Sequence, residues 1–215
     1  MPRIRRSRLD APFFHVVNRS VRRAPLLTRR SDYRAFLAVL GQGLERYRVS
    51  LLAYCLLSNH WHLIVEPAGT TVLSRFMQWV TSTHAVRWHR HHHTVGQGPV
   101  YQGRFHSTPL GGTADLVGAC RYVERNALAA GLVRRAEDWP WCSLSDRQRA
   151  RPNVELRRAA FLGSQIWIDH VNAETAVDRR IDIDPDFLKM AYPARSATSG
   201  TRRRKSVENS SDPLQ

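Results

Sequence analysis

The spacing of apolar residues along the chain predicts an alternation of strands and helices. Residues 12 to 20, PFFHVVNRS, combine aromatic and β-branched residues and predict a first strand. From Ser31, a candidate N-cap, apolar residues recur at steps of three and four as far as Tyr47, which predicts an amphipathic helix. The runs VSLLAYCLL and HWHLIVE predict two strands that turn back on each other at Ser58 and Asn59.

The later part of the chain continues this alternation. Helical spacing returns over residues 71 to 93, and the segment TVGQGPVYQGRFHSTPL is predicted to be a glycine-containing loop. Thr113 is a candidate cap for a third helix that stops at Gly131. The segments AAFLGSQIWIDHV and DPDFLKMAY predict short C-terminal helices. This order predicts an α+β fold, a central antiparallel sheet with helices packed mainly on one face.

Composition divides the chain into four regions. Residues 1 to 11 form a basic N-terminal arm, residues 12 to 145 the main domain, residues 146 to 192 a helical extension, and residues 193 to 215 a polar, basic tail that is predicted to be disordered. The three cysteines form no CxxC pair, which favours reduced thiols.

The charge indicates the partner. A formal net charge of +15 and a pI near 11.1 exceed what solubility requires, and such a field attracts polyanions, nucleic acid first. No apolar run approaches the roughly 20 residues of a spanning helix, and the basic N-terminus is not followed by the apolar segment of a signal peptide. We therefore expect a soluble, intracellular protein with no membrane partner.

Two histidines begin the strand HWHLIVE. His60 and His62 are two residues apart, so their side chains share one face of the strand with Ile64. Neutral imidazoles on one face suit a divalent metal ion. The alternative is a pair of half-buried histidines that are hydrogen-bonded to their neighbours.

A second pair of polar residues lies on the third predicted helix. Tyr122 and Asn126 stand four residues apart in CRYVERNALAAGLV, which places them on one helix face, one turn apart. A phenol and an amide from that helix could meet the histidines of the sheet. Core packing is the alternative for a tyrosine at this spacing.

Three segments together carry a resemblance to a known family. They are NHWHLIVEP, SRFMQWVTSTHAVRWHRHHHTVGQGPVYQGRF and CRYVERNALAAGLVRRAEDWPWCSL. In this order, over roughly residues 12 to 145, they resemble the HUH single-tyrosine transposase superfamily, specifically the REP-associated tyrosine transposase branch. The resemblance implies an RRM-like or ferredoxin-like HUH nuclease fold. It also implies action on single-stranded DNA next to hairpins of repetitive palindromic elements, with Mg²⁺ or Mn²⁺ and no nucleotide cofactor.

The resemblance assigns roles to individual residues. His60 and His62 match the metal ligands, Asn126 matches the polar residue that completes the metal site, and Tyr122 matches the nucleophile. The implied function is that of an endonuclease and strand transferase that cleaves near hairpins through a 5'-phosphotyrosine intermediate and rejoins the strands. Such an enzyme would work in the bacterial cytoplasm at the nucleoid, as a monomer or a homodimer.

The chain departs from its relatives at two positions. Relatives commonly have GRFK where this chain has GRFH with His106, and commonly have an arginine where this chain has Ala129. The loss of two basic residues could weaken phosphate contacts. The alternative function is therefore a catalytically weakened, domesticated nucleic-acid binding protein derived from such a transposase.

Basic and aromatic residues outside the proposed metal site are predicted to contact DNA. They are Arg3, Arg5, Arg6, Arg8, Arg104, Phe105, His106, Arg121, Arg202, Arg203, Arg204 and Lys205. Phe105 could stack on a base or pack under its loop, and the terminal basic runs could simply be solvated. For the cluster His89, His91, His92 and His93 we favour an incidental surface group over a metal site.

Two other classes of protein remain open. A non-catalytic nucleic-acid binding module would depend on charge alone, with structural histidines. A hydrolytic metalloenzyme with an HxH pair would leave no DNA attached to the protein.

Overall fold

The structure is a computed structural model, and it describes residues 11 to 174. Its centre is a four-stranded antiparallel sheet in the order β2-β3-β1-β4. The strands are β1 (Phe13–Arg19), β2 (Ser50–Leu56), β3 (His60–Glu66) and β4 (His106–Leu110). The helices are α1 (Arg30–Tyr47), α2 (Thr70–His91), α3 (Thr113–Ala129), α4 (Ser143–Arg147) and α5 (Gln165–Asn172). The predicted α+β fold with a central antiparallel sheet is confirmed.

Helices cover both faces of the sheet, whereas the sequence predicted that they pack mainly on one face. Helices α1 and α2 pack on the face that carries Trp61, Leu63 and Val65. Helix α3, together with α5, packs on the opposite face around Ile64. Strands β2 and β3 are buried along almost their whole length, so both of their faces need a cover. At Gly43 the two long helices approach so closely that a Cβ atom would lie 2.8 Å from Val80.

The segment predicted to be a loop contains strand β4, which the sequence did not predict. Strand β4 reads HSTPL, which lacks the alternation of a half-buried strand and contains Pro109. Among the described strands it pairs only with β1, and a proline is tolerated on such an edge. Pairing with β1 brings the segment after Arg104 into the sheet.

The helix boundaries agree with the sequence to within two residues, but Thr113 is the first residue of α3 and not its N-cap, which is Gly112. Helix α1 begins at Arg30, and its start is capped by the carboxylate of Asp32, which accepts from the backbone N–H groups of Thr28 and Arg29, so Ser31 is not the cap. Helix α3 ends as predicted, because Gly131 takes a positive φ of 68° and Leu132 N–H donates to the Ala127 carbonyl.

Beyond the main domain the description is partial. The helix predicted in AAFLGSQIWIDHV is present as α5, whereas DPDFLKMAY, the basic arm before residue 11 and the polar tail lie outside the described residues. Among residues 11 to 174, no helix combines the length and apolarity that a bilayer crossing requires.

Candidate active site

The two histidines of β3 lie on the face of the sheet that α3 covers. His62 is fully buried, and His60, at the start of the strand, is 9% exposed. Trp61, between them, packs into the opposite core. The period of two in an extended strand thus produces the shared face that the sequence predicted.

A third histidine, from β1, completes this group. His15 lies diagonally across the ladder from His62, and its Nε2 is 3.0 Å from Nδ1 of His62. The two rings stack with centroids 5.2 Å apart. Sequence reasoning missed His15. The signal was a lone imidazole in the apolar strand FFHVVNR, but its partner depends on the register between β1 and β3.

Burial keeps all three imidazoles neutral. Desolvation lowers the pKa of His15 to about 4, and desolvation together with the charges of Arg19 and Arg23 lowers the pKa of His60 to about 4. The pKa of His62 lies well below its usual value, mainly because of desolvation and also because of the neighbouring histidines. Neutral imidazoles retain the lone pair that binds a metal ion.

Tyr122 faces the histidine group from helix α3. Its ring stands edge-on to His62, with centroids 5.5 Å apart, and edge-on to His15, with centroids 5.7 Å apart. Desolvation raises the pKa of Tyr122, and a side-chain hydrogen bond with Asn126 acts in the opposite direction. The phenol is therefore protonated at neutral pH. The structure brings Tyr122 to the histidines, which is one of the two arrangements that its helical position left open.

Each of the three predicted ligands has one buried atom with no hydrogen-bond partner among the described residues: His60 Nε2, His62 Nε2 and Asn126 Oδ1. The other polar atom of each side chain is occupied. His60 Nδ1 lies 2.6 Å from Asn59 Oδ1, His62 Nδ1 contacts His15, and Asn126 Nδ2 donates to the Tyr122 carbonyl at 3.2 Å. A buried polar atom without a partner costs free energy, which a bound cation would recover. Two imidazole nitrogens and an amide oxygen are suitable ligands for a divalent metal ion.

Helix α3 is fixed by a buried carboxylate. Glu124 accepts from Ser143 Oγ and from Trp167 Nε1, each at 2.6 Å, and so links α3 to α4 and α5. Desolvation raises the pKa of Glu124, and the two hydrogen bonds oppose that shift. Trp139, just after α3, donates to the Leu56 carbonyl at 2.9 Å. These contacts hold α3 and the segment that follows it against the sheet.

The predicted DNA-binding residues occupy different environments. Arg104, two residues before β4, and His106, its first residue, are exposed. Phe105 between them is only 5% exposed and belongs to the core, which matches the packing role rather than base stacking. Arg121 donates to the carbonyls of His170 and Ala173 and thereby holds α5. The remaining residues of the set lie outside the described residues: Arg3, Arg5, Arg6, Arg8, Arg202, Arg203, Arg204 and Lys205.

Comparison with known proteins identifies the family. The family model described as transposase IS200-like matches residues 11 to 126, more than half of the chain. The chain therefore belongs to the IS200-like transposase family, which confirms the class of protein that the sequence resemblance predicted. No curated protein sequence matches the chain significantly.

The fold is also that of a solved transposase structure. This chain is similar to a REP-associated tyrosine transposase bound to a REP hairpin, with a TM-score of 0.56 and 21% sequence identity. The similarity covers 77% of this chain and 98% of that chain. At this identity the match shows a common fold.

Proposed function

We propose that the protein is a metal-dependent endonuclease and strand transferase of the REP-associated branch, which cleaves single-stranded DNA beside hairpins and rejoins it. The observation that carries this proposal is the contact of the Tyr122 ring with the buried, neutral histidines His15 and His62. The similarity to a hairpin-bound transposase supports the choice of substrate. The net charge of +15 supports a polyanionic partner.

His60, His62 and Asn126 would hold Mg²⁺ or Mn²⁺ through the three atoms that have no partner in the described part of the chain. When bound there, a divalent ion supplies neutralisation of phosphate charge and Lewis-acid polarisation of phosphorus. His15 keeps Nδ1 of His62 occupied and so directs Nε2 of that ring to the site.

Tyr122 is the proposed nucleophile. Its phenol oxygen attacks phosphorus, the phosphorus bond to the 3'-oxygen breaks, and the products are a 5'-phosphotyrosine and a free 3'-hydroxyl. The side chain is half-buried, so the phenol proton can pass to water during the attack. Reversal by a 3'-hydroxyl rejoins DNA without a nucleotide cofactor, because the phosphotyrosine bond conserves the energy of the phosphodiester.

Adduct formation tests this mechanism. Purified protein is incubated with Mn²⁺ and labelled hairpin oligonucleotides taken from the inverted repeats beside the gene, and a denaturing gel separates free DNA from protein-linked DNA. We expect an adduct with the wild type and none with Tyr122→Phe, at similar DNA affinity. Tyr47→Phe is the matched control, since Tyr47 packs on the α1 and α2 side of the sheet, against Phe76.

The outcomes separate the candidate functions. An adduct in Tyr122→Phe would refute Tyr122 as the nucleophile. Tight, salt-sensitive binding with no adduct in the wild type would favour the domesticated binding protein. His106 and Ala129 are consistent with that alternative, because they replace two basic residues of the relatives at exposed positions outside the proposed metal site. Product release without any protein-linked DNA would indicate a hydrolase.

The proposed substrate places the protein at the bacterial nucleoid, in the cytoplasm. The mass of the complex with a single hairpin would show whether the protein works as a monomer or as a homodimer. Binding should weaken steeply as salt rises, because the protein displaces counterions from the phosphates.

A further inference from the structure

The C-terminal end of α2 meets the beginning of α1 at a cluster of metal-binding groups. Asp32, His91 and His92 each offer one ligand atom, and these three atoms lie within 4.8 Å of one another. The cluster uses none of the residues of the proposed active site. Asp32 is remote in sequence from the two histidines, so the sequence alone did not associate them.

Asp32 is held in place as a carboxylate. It is 3% exposed, and its Oδ2 accepts hydrogen bonds from Thr28 N–H, Thr28 Oγ1 and Arg29 N–H at 2.9 to 3.2 Å. Burial by itself would raise the pKa of Asp32, but these hydrogen bonds outweigh it and the net shift is downward. The other oxygen, Oδ1, faces His92 Nε2 at 3.2 Å.

The ring of His92 is also fixed. It stacks on Trp88 with centroids 4.3 Å apart, and Trp88 Nε1 in turn donates to the Leu26 carbonyl at 2.8 Å. His91 stands edge-on to His92, with centroids 5.0 Å apart, and is exposed. An ion can therefore enter from solvent. The negative end of the α2 dipole lies at the same place and favours a cation.

We propose that Asp32, His91 and His92 form a second metal site, which binds one late first-row divalent ion such as Zn²⁺ or Ni²⁺. Two imidazoles and one carboxylate are a ligand set of borderline softness that these ions prefer over Mg²⁺. A bound ion would join the start of α1 to the end of α2. It would thereby fix the start of the segment that connects α2 to Arg104 and β4.

The contact with Asp32 is what distinguishes this site from an incidental histidine cluster. His89 and His93 belong to the same run but not to the ligand group: His89 Nδ1 pairs with Thr94 Oγ1 at 2.8 Å, and His93 adopts a left-handed backbone with φ of 54°. These two residues provide a matched control within the same helix end.

The test is Zn²⁺ titration of metal-free, full-length protein by calorimetry, in a His60→Ala/His62→Ala background that removes the other proposed site. We expect one equivalent of Zn²⁺ to bind. In His91→Gln/His92→Gln the affinity should fall at least 100-fold, whereas His89→Gln/His93→Asn, which removes as many imidazoles and keeps a residue that tolerates positive φ, should bind as before. Asp32→Asn should weaken binding at least 10-fold.

Thermal unfolding gives a second readout. Zn²⁺ should raise the Tm of the background protein and of the control, and leave the Tm of His91→Gln/His92→Gln unchanged, because only a folded-state ligand stabilises. Equal Zn²⁺ affinity in His91→Gln/His92→Gln and in the background would overturn the site. Equal losses in both double variants would show an unspecific imidazole cluster, and full affinity in Asp32→Asn would remove the carboxylate from the ligand set.

Discussion

The two faces of strand β3 are built from alternating residues of one segment, HWHLIVE, yet they differ in chemistry. On the α1 and α2 side, Trp61 is fully buried and its Nε1 donates to the Tyr101 hydroxyl at 3.3 Å, which in turn pairs with His84 at 2.8 Å. On the α3 side, nitrogen atoms of His60 and His62 are buried without a partner in the described part of the chain. On the first face these polar groups are hydrogen-bonded to each other, whereas on the second face the imidazole nitrogens remain for a ligand. The comparison shows how a sheet this small separates stability from the proposed chemistry.

Removal of an imidazole from the α3 side should give the largest effect. We expect His62→Ala to reduce metal-dependent cleavage on the order of a thousandfold, because a Lewis acid contributes several kcal/mol to the barrier. The free energy of unfolding should fall by only about 1 to 2 kcal/mol, since removal of the unpartnered Nε2 offsets part of the cost of the cavity and of the lost contact with His15. Single-turnover cleavage and urea unfolding measure the two quantities. A large loss of stability with cleavage retained would reverse the roles of the faces.

The adjacent residue should behave in the opposite way. We expect Trp61→Ala to lower the free energy of unfolding by about 3 to 5 kcal/mol, because it empties a fully buried site beside Phe36. Urea unfolding measures this change. Trp61→Phe, which keeps an aromatic ring, is the control and should cost less. Unfolding free energies that match the wild type in both variants would contradict a core role for this face.

His15 allows a finer test of the α3 side. His15→Phe preserves ring volume but removes the contact with His62, and we expect Mn²⁺ affinity to fall about 10- to 100-fold. His15→Gln, which retains a polar group, should recover part of that affinity. Calorimetric Mn²⁺ titration gives the affinities, and urea unfolding shows whether the effect is merely structural. Unchanged Mn²⁺ affinity in His15→Phe would remove His15 from the site.

Because these imidazoles are buried and neutral, the free energy of unfolding should decrease gradually as the pH is lowered. The pKa values of His15, His60 and His84 are lowered to about 4 by burial, so between pH 6.5 and 4 the unfolded chain binds more protons than the folded one. Stability is therefore complete above pH 6.5 and falls as pH decreases, by at most about 1.4 kcal/mol per pH unit for each histidine.

Mutation can show how much of the pH dependence of the unfolding free energy comes from the α3 face. His60→Ala/His62→Ala should flatten the pH dependence of the unfolding free energy in metal-free protein, because two of the neutral histidines are gone. His84, on the other face, stays neutral and keeps its share of the slope. A slope equal to that of the wild type would mean that His60 and His62 are not held neutral by burial.

The parts of the site that follow local periodicity could be predicted from the sequence. The common face of His60 and His62 follows from the period of a strand, and the stacking of Tyr122 above Asn126 follows from the helical repeat. The fold class followed from the order of elements, but the position of α3 on the second face did not, because periodicity gives the apolar side of a helix and not the surface that it covers.

The parts that depend on tertiary contacts could not be predicted. His15 meets His62 only through the register of β1 and β3, and Asp32 meets His92 only when α1 packs against α2. Strand β4 escaped notice because its residues do not alternate and its edge position admits Pro109. In each case the missing information is a partner that is remote in sequence.

The alternation of Trp61 and His62 also constrains how the gene can change. Insertion or deletion of one codon within β3 would exchange the two faces, so that imidazoles enter the core while the indole ring faces α3. A single frame-preserving indel would thus destroy stability and the proposed site together, whereas the exposed residues 95 to 99, between α2 and the buried Val100, can change length at little cost. Copies of this gene that diverge should therefore accumulate substitutions in β3 and length changes at residues 95 to 99.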